Sequence, residues 1–205
     1  MSVQAPAPSL VSDVIPVLPA FARLAASVFA AALVPVSVSV RLIVLPVCEG
    51  YDIPAYLHPE DLGMISDPVA WHGPALAPLA QGVALPDPSE VRALDDGALL
   101  SLAGVDLTVR HAPGHTRGSV VFSLDLDESP GLIAGDVLFA GSVGRVDLPG
   151  GSWESMLGSL RDVVLPLDDA TVVLPGHGPA TTIGRERATN PYLAEAAGAP
   201  KGRGL

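Results

Sequence analysis

Cysteine and lysine are almost absent from this chain of 205 residues. The single cysteine, Cys48, excludes an intrachain disulfide and an all-cysteine zinc cluster, and it is typical of a protein from the reducing cytoplasm. Lys201 is the only lysine, and the net charge is −11 at pH 7. Because a domain this acidic repels phosphate backbones, the composition argues against nucleic-acid binding.

Charged residues of either sign are also scarce, at 16 %, whereas hydrophobic residues make up 49 %. This balance excludes an intrinsically disordered chain, and the length suits one domain with a substantial core. No internal repeat or low-complexity segment is evident.

A long uncharged run covers residues 24–40 and lies between Arg23 and Arg41. A buried helix over residues 21–33, followed by a strand over 36–47, is the favoured interpretation. A targeting segment or membrane anchor is the alternative. Pro35 interrupts the run, however, and its 17 residues are fewer than the roughly 20 that a membrane span needs.

The rest of the chain alternates between strand-like and turn-like segments. Residues 53–57 form a short apolar run, His58 opens a helical turn at the surface, and residues 71–88 form a loop. We predict a hairpin around Gly104, strands over 119–124, 131–134 and 171–174, and helices over 153–164 (N-cap Ser152) and 183–197 (broken at Pro191). Strands in the middle with helices outside predict an α/β layered sandwich.

Three residues of metal-ligand type lie in glycine-rich loops beside predicted strands. His115 lies in the loop over 111–119, Asp136 follows the strand over 131–134, and His177 follows the strand over 171–174. Gly114 and Gly118 are expected to let the first loop turn tightly and to leave the His115 imidazole little shielded. Imidazole nitrogen and carboxylate oxygen suit zinc. Each residue alone is equally well explained by a surface turn.

The order of several short motifs adds a family resemblance. The motifs are PGHT (113–116), GDVLFAGSVGR (135–145), DLPGG (147–151), LPGHG (174–178), TTIG (181–184) and NPYL (190–193). With them, residues 47–193 resemble metallo-β-lactamase-fold hydrolases, in particular the glyoxalase II-like (hydroxyacylglutathione hydrolase-like) branch. The resemblance implies an αβ/βα sandwich with metal between the edges of two sheets. It also implies that His115 binds one zinc, Asp136 bridges two and His177 binds the second, with iron or manganese as alternatives.

The His-x-His-x-Asp-His motif that ends an early strand in that family is absent. Its expected place is taken by residues 36–45, which carry no ligand side chain. We therefore interpret residues 1–45 as an atypical apolar segment that packs less well than the rest. Residues 46–197 are the metallo-β-lactamase-like domain, and 198–205 are a tail. If the loops close in, His115, Asp136 and His177 can together hold one zinc and leave one position open.

The remaining candidates have structural explanations. His58 and His72 lack the spacing of metal ligands, and His111 is expected to make a structural hydrogen bond. Asp147 is expected to brace a loop, and Cys48 is interpreted as a small buried apolar residue. No catalytic base is indicated.

Two functions remain open. The first is a cytoplasmic metallohydrolase acting on a small-molecule thioester or related ester, in which zinc polarises the carbonyl. The second is a non-catalytic or truncated member of the same fold that serves as a binding module or has no function. The sequence does not indicate the oligomeric state.

Overall fold

The computed structural model describes residues 54–63, 91–102, 104–126 and 129–198. The helix and strand predicted within residues 21–47, the packing of residues 1–45, Cys48, His72 and the loop over 71–88 all lie outside the described residues. Within them, no helix is long and apolar enough to cross a membrane.

The described residues form ten strands and three α-helices. The strands are β1 (Ala55–Leu57), β2 (Val91–Ala93), β3 (Leu99–Leu102), β4 (Val105–His111), β5 (Val120–Leu126), β6 (Ser129–Gly135), β7 (Leu138–Phe139), β8 (Ser142–Val143), β9 (Val172–Pro175) and β10 (Thr181–Thr182). The helices are α1 (Trp153–Ser159), α2 (Ile183–Thr189) and α3 (Pro191–Gly198). A 3-10 turn (Pro59–Asp61) follows β1, and α1 continues into a π-helical turn (Leu160–Val164).

A six-stranded mixed sheet lies at the centre, in the order β10-β9-β6-β5-β4-β3. Strands β3 to β6 form an antiparallel meander, whereas β6 and β9 pair in parallel. Because side chains alternate along a strand, β5 and β6 supply both faces of this sheet. Val121, Leu132 and Ala134 belong to one buried cluster, and Phe122 and Ile133 to the other.

Each face of the sheet is covered by a different layer. One cluster includes Met156 and Leu160 from α1 and its π turn, and Leu193 from α3. The other includes Leu94 and Leu107, with Tyr56 of the small parallel β1–β2 sheet packed against it. Burial on both faces explains why residues 131–134 are buried without alternation. The predicted α/β layered arrangement is confirmed.

Several local predictions are also confirmed. Gly104 has φ +81° between β3 and β4, Ser152 caps α1 by accepting from the Ser155 amide, and α3 begins at Pro191. The strands on either side of residues 127–128 are longer than predicted, because backbone pairing continues through Asp125↔Pro130 and Leu126↔Ser129 beyond the buried part.

Candidate metal centre

The three predicted ligands meet at one edge of the central sheet. Since β6 and β9 are parallel neighbours, Asp136 and His177, which follow them, emerge at the same edge. Strand β5 runs antiparallel to β6, so the loop that precedes β5 brings His115 there as well. His115 Nε2 lies 3.6 Å from Asp136 Oδ2, and His177 Nε2 lies 3.7 Å from Asp136 Oδ1. Asp136 is therefore the central member of the set.

The His115 ring is held in one tautomer by the backbone. Its Nδ1 lies 2.8 Å from the carbonyl oxygen of Arg145. Because a carbonyl can only accept, Nδ1 carries the proton, and Nε2 presents its lone pair to Asp136. Nε2 is buried and has no hydrogen-bond partner among the described residues.

The expectation that His115 would be poorly shielded is wrong, since only 7 % of its side chain is exposed. The flanking glycines permit close packing. A Cβ on Gly114 would lie 2.6 Å from the Met156 Cα, and a Cβ on Gly118 would lie 2.6 Å from the Asp61 Cγ. The loop is therefore pressed against α1 and the turn after β1, which buries the ring.

Asp136 is partly buried, with 15 % of its side chain exposed. Burial raises the pKa of its carboxyl group above the ordinary value, while His115 and His177 lower it. Its Oδ1 also has no hydrogen-bond partner among the described residues. An unsatisfied buried carboxylate oxygen costs free energy, and a cation at this position would remove that cost.

His177 is the least restrained of the three, with 72 % of its side chain exposed. Its ring stacks on Phe139 at a centroid distance of 4.4 Å and an interplanar angle of 28°. Phe139 belongs to the β7–β8 hairpin, whose Gly141 amide donates to Glu186 Oε2 over 2.7 Å. Sequence reasoning assigned no role to Phe139, although it lies inside the motif that carries Asp136. The hairpin thus provides one wall against which the His177 ring rests.

The spacing of the ligands is slightly wider than in a closed metal site. Two ligands bonded at about 2 Å in a tetrahedral arrangement lie about 3.3 Å apart. The observed 3.6 and 3.7 Å are a few tenths of an ångström longer. Accordingly, no group of three or more His, Cys, Asp or Glu side chains within the described ranges is already placed to hold a metal ion. The donor types suit one divalent ion, and binding it would require both distances to shorten by these few tenths of an ångström.

Asp147 forms an ion pair with Arg145. Both of its oxygens accept from the Arg145 guanidinium over 2.7 Å, and this bonding lowers the pKa of Asp147 to about 2. The predicted loop-bracing role fits this geometry, because the same Arg145 supplies the carbonyl that holds His115.

A stacked histidine pair joins the turn that contains Asp61 to the end of β4. The rings of His58 and His111 are 4.0 Å apart, and His111 Nε2 donates to the Arg117 carbonyl over 2.8 Å. The structural hydrogen bond predicted for His111 is confirmed. His58 was expected at the surface but is half-buried. Its burial and the neighbouring His111 lower the pKa of its imidazole.

Asp61 is a buried acidic residue that sequence reasoning did not single out. It accepts from the Thr116 hydroxyl over 2.6 Å and from the Gly118 amide over 2.8 Å. Burial raises the pKa of its carboxyl group. Acidic residues are common in the first turn of a helix, so Asp61 does not stand out in the sequence. Its two partners lie more than fifty residues further along the chain, and no local pattern predicts these contacts.

Comparison with known proteins identifies the family. The sequence model of the Metallo-beta-lactamase superfamily matches residues 44–177. This chain belongs to that superfamily. An uncharacterised protein of Mycobacterium tuberculosis is 45 % identical over 151 residues, which are 72 % of this chain and 67 % of the relative. The hydroxyacylglutathione hydrolase GloC of Haemophilus influenzae is 42 % identical over 98 residues, which are 48 % of this chain and 45 % of that protein.

A similar solved structure supports the fold. A protein crystallised in a di-iron-bound form is 42 % identical, with a TM-score of 0.54, and the match covers 72 % of this chain and 68 % of that one. The predicted family resemblance and fold class are therefore confirmed. Members of the superfamily are generally hydrolytic enzymes that bind divalent metals. The chain spans about two thirds of the mycobacterial relative and less than half of the Haemophilus enzyme.

Proposed function

We propose that this chain is a metal-dependent hydrolase acting on a thioester or related ester of a small molecule. One observation carries the proposal: two buried ligand atoms, His115 Nε2 and Asp136 Oδ1, lack partners among the described residues and belong to side chains that face each other. Buried polar atoms of native proteins are nearly always satisfied, so this pair favours a bound cation. The relative named hydroxyacylglutathione hydrolase supports the thioester substrate class.

His115, Asp136 and His177 would hold the ion, and zinc, iron or manganese would suit these donors. When bound, such an ion polarises a substrate carbonyl and makes a water molecule more acidic. His115 keeps its proton on Nδ1, where the Arg145 carbonyl accepts it, and so offers a lone pair at Nε2. Asp136 contributes negative charge from a site largely shielded from water. Phe139 limits the directions that the His177 ring can take.

The expected rate is low. The sequence lacks the His-x-His-x-Asp-His motif, so three side chains replace the fuller ligand set of the family. Orientation of the attacking water and stabilisation of developing charge each contribute several kcal/mol to such reactions. Losing part of both lowers turnover by orders of magnitude relative to members that carry the motif.

A non-catalytic binding domain is the second candidate function. It is favoured by the wider ligand spacing, since no ready-made set of three ligands exists among the described residues. It is also favoured by the absence of the motif. In this case the site binds a metal ion without hydrolysing a substrate.

Metal content and thioester hydrolysis, measured on the same zinc-equilibrated samples, separate the two functions. We expect at most one zinc per chain, loss of zinc in Asp136→Ala, and slow hydrolysis that disappears in the same variant. Asp125→Ala is the matched control, and it should keep its zinc because that carboxylate is exposed and lies near the end of β5 away from the His115 loop. Zinc binding without hydrolysis above Asp136→Ala would favour the second function. No zinc binding at all would refute the metal site, and two tightly bound ions with fast turnover would refute the three-ligand account.

A further inference from the structure

We propose that Asp61 is a positioning residue for His115, holding the loop on which this ligand lies in the orientation that metal binding needs. The inference rests on the proposed metal site. Asp61 has 0 % exposure and ends the 3-10 turn that follows β1, whereas the three candidate ligands lie in loops beside strands of the central sheet.

Both carboxylate oxygens of Asp61 are used on the His115 loop. Oδ2 accepts from the hydroxyl of Thr116, over 2.6 Å, and Oδ1 accepts from the Gly118 amide, over 2.8 Å. Thr116 is the residue that follows His115 in the sequence. Hydrogen bonds to a carboxylate are shorter and stronger than those between neutral groups. One side chain therefore fixes the loop at two points within three residues of the ligand.

The loop is shaped to receive this carboxylate. Gly118 has no side chain where Asp61 lies, and a Cβ there would be 2.6 Å from the Asp61 Cγ. The Thr116 hydroxyl and amide also contact Ser119 Oγ, over 2.8 and 2.9 Å. The Thr116 carbonyl accepts from the Gly114 amide over 2.9 Å. The residues on both sides of His115 are thus connected, directly or through Thr116, to Asp61.

A positioning role differs from a general stabilising role in what it predicts for His115. The ring has one hydrogen bond, from Nδ1 to the Arg145 carbonyl, so its position depends on where the backbone of the loop lies. Metal-ligand bonds tolerate deviations of only about 0.2 Å. A loop released from Asp61 would exceed this tolerance even in a chain that remains folded.

Three variants separate these roles. Asp61→Ala removes both contacts. Asp61→Asn can keep both, because its carbonyl accepts from Gly118 and its amide donates to Thr116 Oγ1, which then donates to Ser119 Oγ. Leu124→Ala is the stability control, since Leu124 is buried, with 5 % exposure, and lies towards the end of β5 away from the loop.

The first readout is zinc affinity, measured by titration against a competing chelator. We expect Asp61→Ala to weaken zinc binding by about 10-fold or more, the size of effect seen when groups that orient a ligand are removed. Asp61→Asn should recover most of this loss, and Leu124→Ala should bind zinc like the wild type. Wild-type affinity in folded Asp61→Ala, or an equal loss in Leu124→Ala, would refute the positioning role.

The second readout needs no metal. In zinc-free wild type and Asp61→Asn, the Nδ1 proton of His115 should give a sharp, exchange-protected NMR signal, and in Asp61→Ala it should broaden or vanish. An unchanged signal refutes the positioning role whatever zinc does. If the NMR signals follow the expected pattern but the wild type binds no zinc, the positioning role stands and only the proposed function is refuted. If Asp61→Ala does not fold, Thr116→Val replaces it, with Thr116→Ser as the matched control that keeps the hydroxyl.

Discussion

Replacing Gly144 with alanine should damage the fold and the candidate metal site together. A Cβ at this position would lie 1.8 Å from the Asp136 carbonyl oxygen and 3.4 Å from the His115 Cβ. The obstructing atom belongs to the backbone, so no side-chain rotation relieves the overlap. The two backbones must separate by more than about 1 Å to restore ordinary van der Waals contact.

The magnitude follows from that separation. Overpacking a well-packed region costs about 1–3 kcal/mol, and a backbone obstruction belongs at the upper end. For a domain of this size, a loss of about 3 kcal/mol lowers Tm by roughly 6–12 °C. Moving Asp136 by about 1 Å also exceeds the tolerance of a metal ligand several-fold. We therefore expect zinc affinity to fall by at least about 10-fold, as it does when groups that orient a ligand are lost.

Gly141→Ala is the matched control for this experiment. Gly141 has φ +73°, but no atom lies within 4 Å of an added Cβ. Its cost is therefore confined to the left-handed backbone, about 1–2 kcal/mol. Calorimetry, urea denaturation and zinc titration of both variants give the comparison. If Gly144→Ala melts like Gly141→Ala, or binds zinc like the wild type, the close approach between Gly144 and Asp136 is not what holds the site.

Two further predictions concern aromatic rings near the site. Phe139→Leu removes the face on which His177 stacks, so zinc affinity should fall by about 2–10-fold, the equivalent of roughly 0.5–1.5 kcal/mol for an aromatic pair. If Phe139→Leu lost more free energy of unfolding than free energy of zinc binding, Phe139 would be a residue that stabilises the fold and not one that orients His177. Burial is the main cause that lowers the pKa of His58, and the neighbouring His111 lowers it further, so the NMR titration midpoint of His58 should lie below 6.5. Because the unfolded chain then binds the proton more tightly than the folded chain, the free energy of unfolding should decrease as the pH falls below about 6.5 towards this midpoint. His111→Phe should raise the midpoint, and an unchanged value would show that the charge of His111 does not act on His58.

What the sequence predicted well depends on local rules. Gly104 between two apolar runs, Ser152 before a helical pattern and Pro191 inside one each determine the backbone within a few residues. The convergence of the three candidate ligands was also predictable, because His115, Asp136 and His177 lie in short motifs beside predicted strands. The strand order then brought these motifs to one edge.

What the sequence did not predict depends on contacts between distant segments. The burial of His115 arises from Met156 and Asp61, which pack against the glycines beside it. The bond from Thr116 to Asp61 joins residues 55 positions apart. The stacking of Phe139 on His177 likewise joins β7 to the loop after β9. None of these pairs leaves a periodic pattern, since each joins segments that are far apart in the sequence.

In the candidate site, metal affinity and catalytic turnover depend on different features of the chain. The loop of His115 is bonded to Asp61, its ring to the Arg145 carbonyl, and the Asp136 backbone lies tightly against Gly144. These contacts join parts of the chain to one another, so folding itself orders the loop of His115 and the backbone of Asp136, which lowers the entropy cost of binding a metal ion. Ordering cannot supply a missing donor or aim a water molecule, however, because these require side chains that the sequence lacks. Metal affinity should accordingly depend on the packing around the ligands, and turnover should depend on the number of ligands. Asp61→Asn should therefore recover the zinc affinity lost in Asp61→Ala without raising the rate of hydrolysis above that of the wild type.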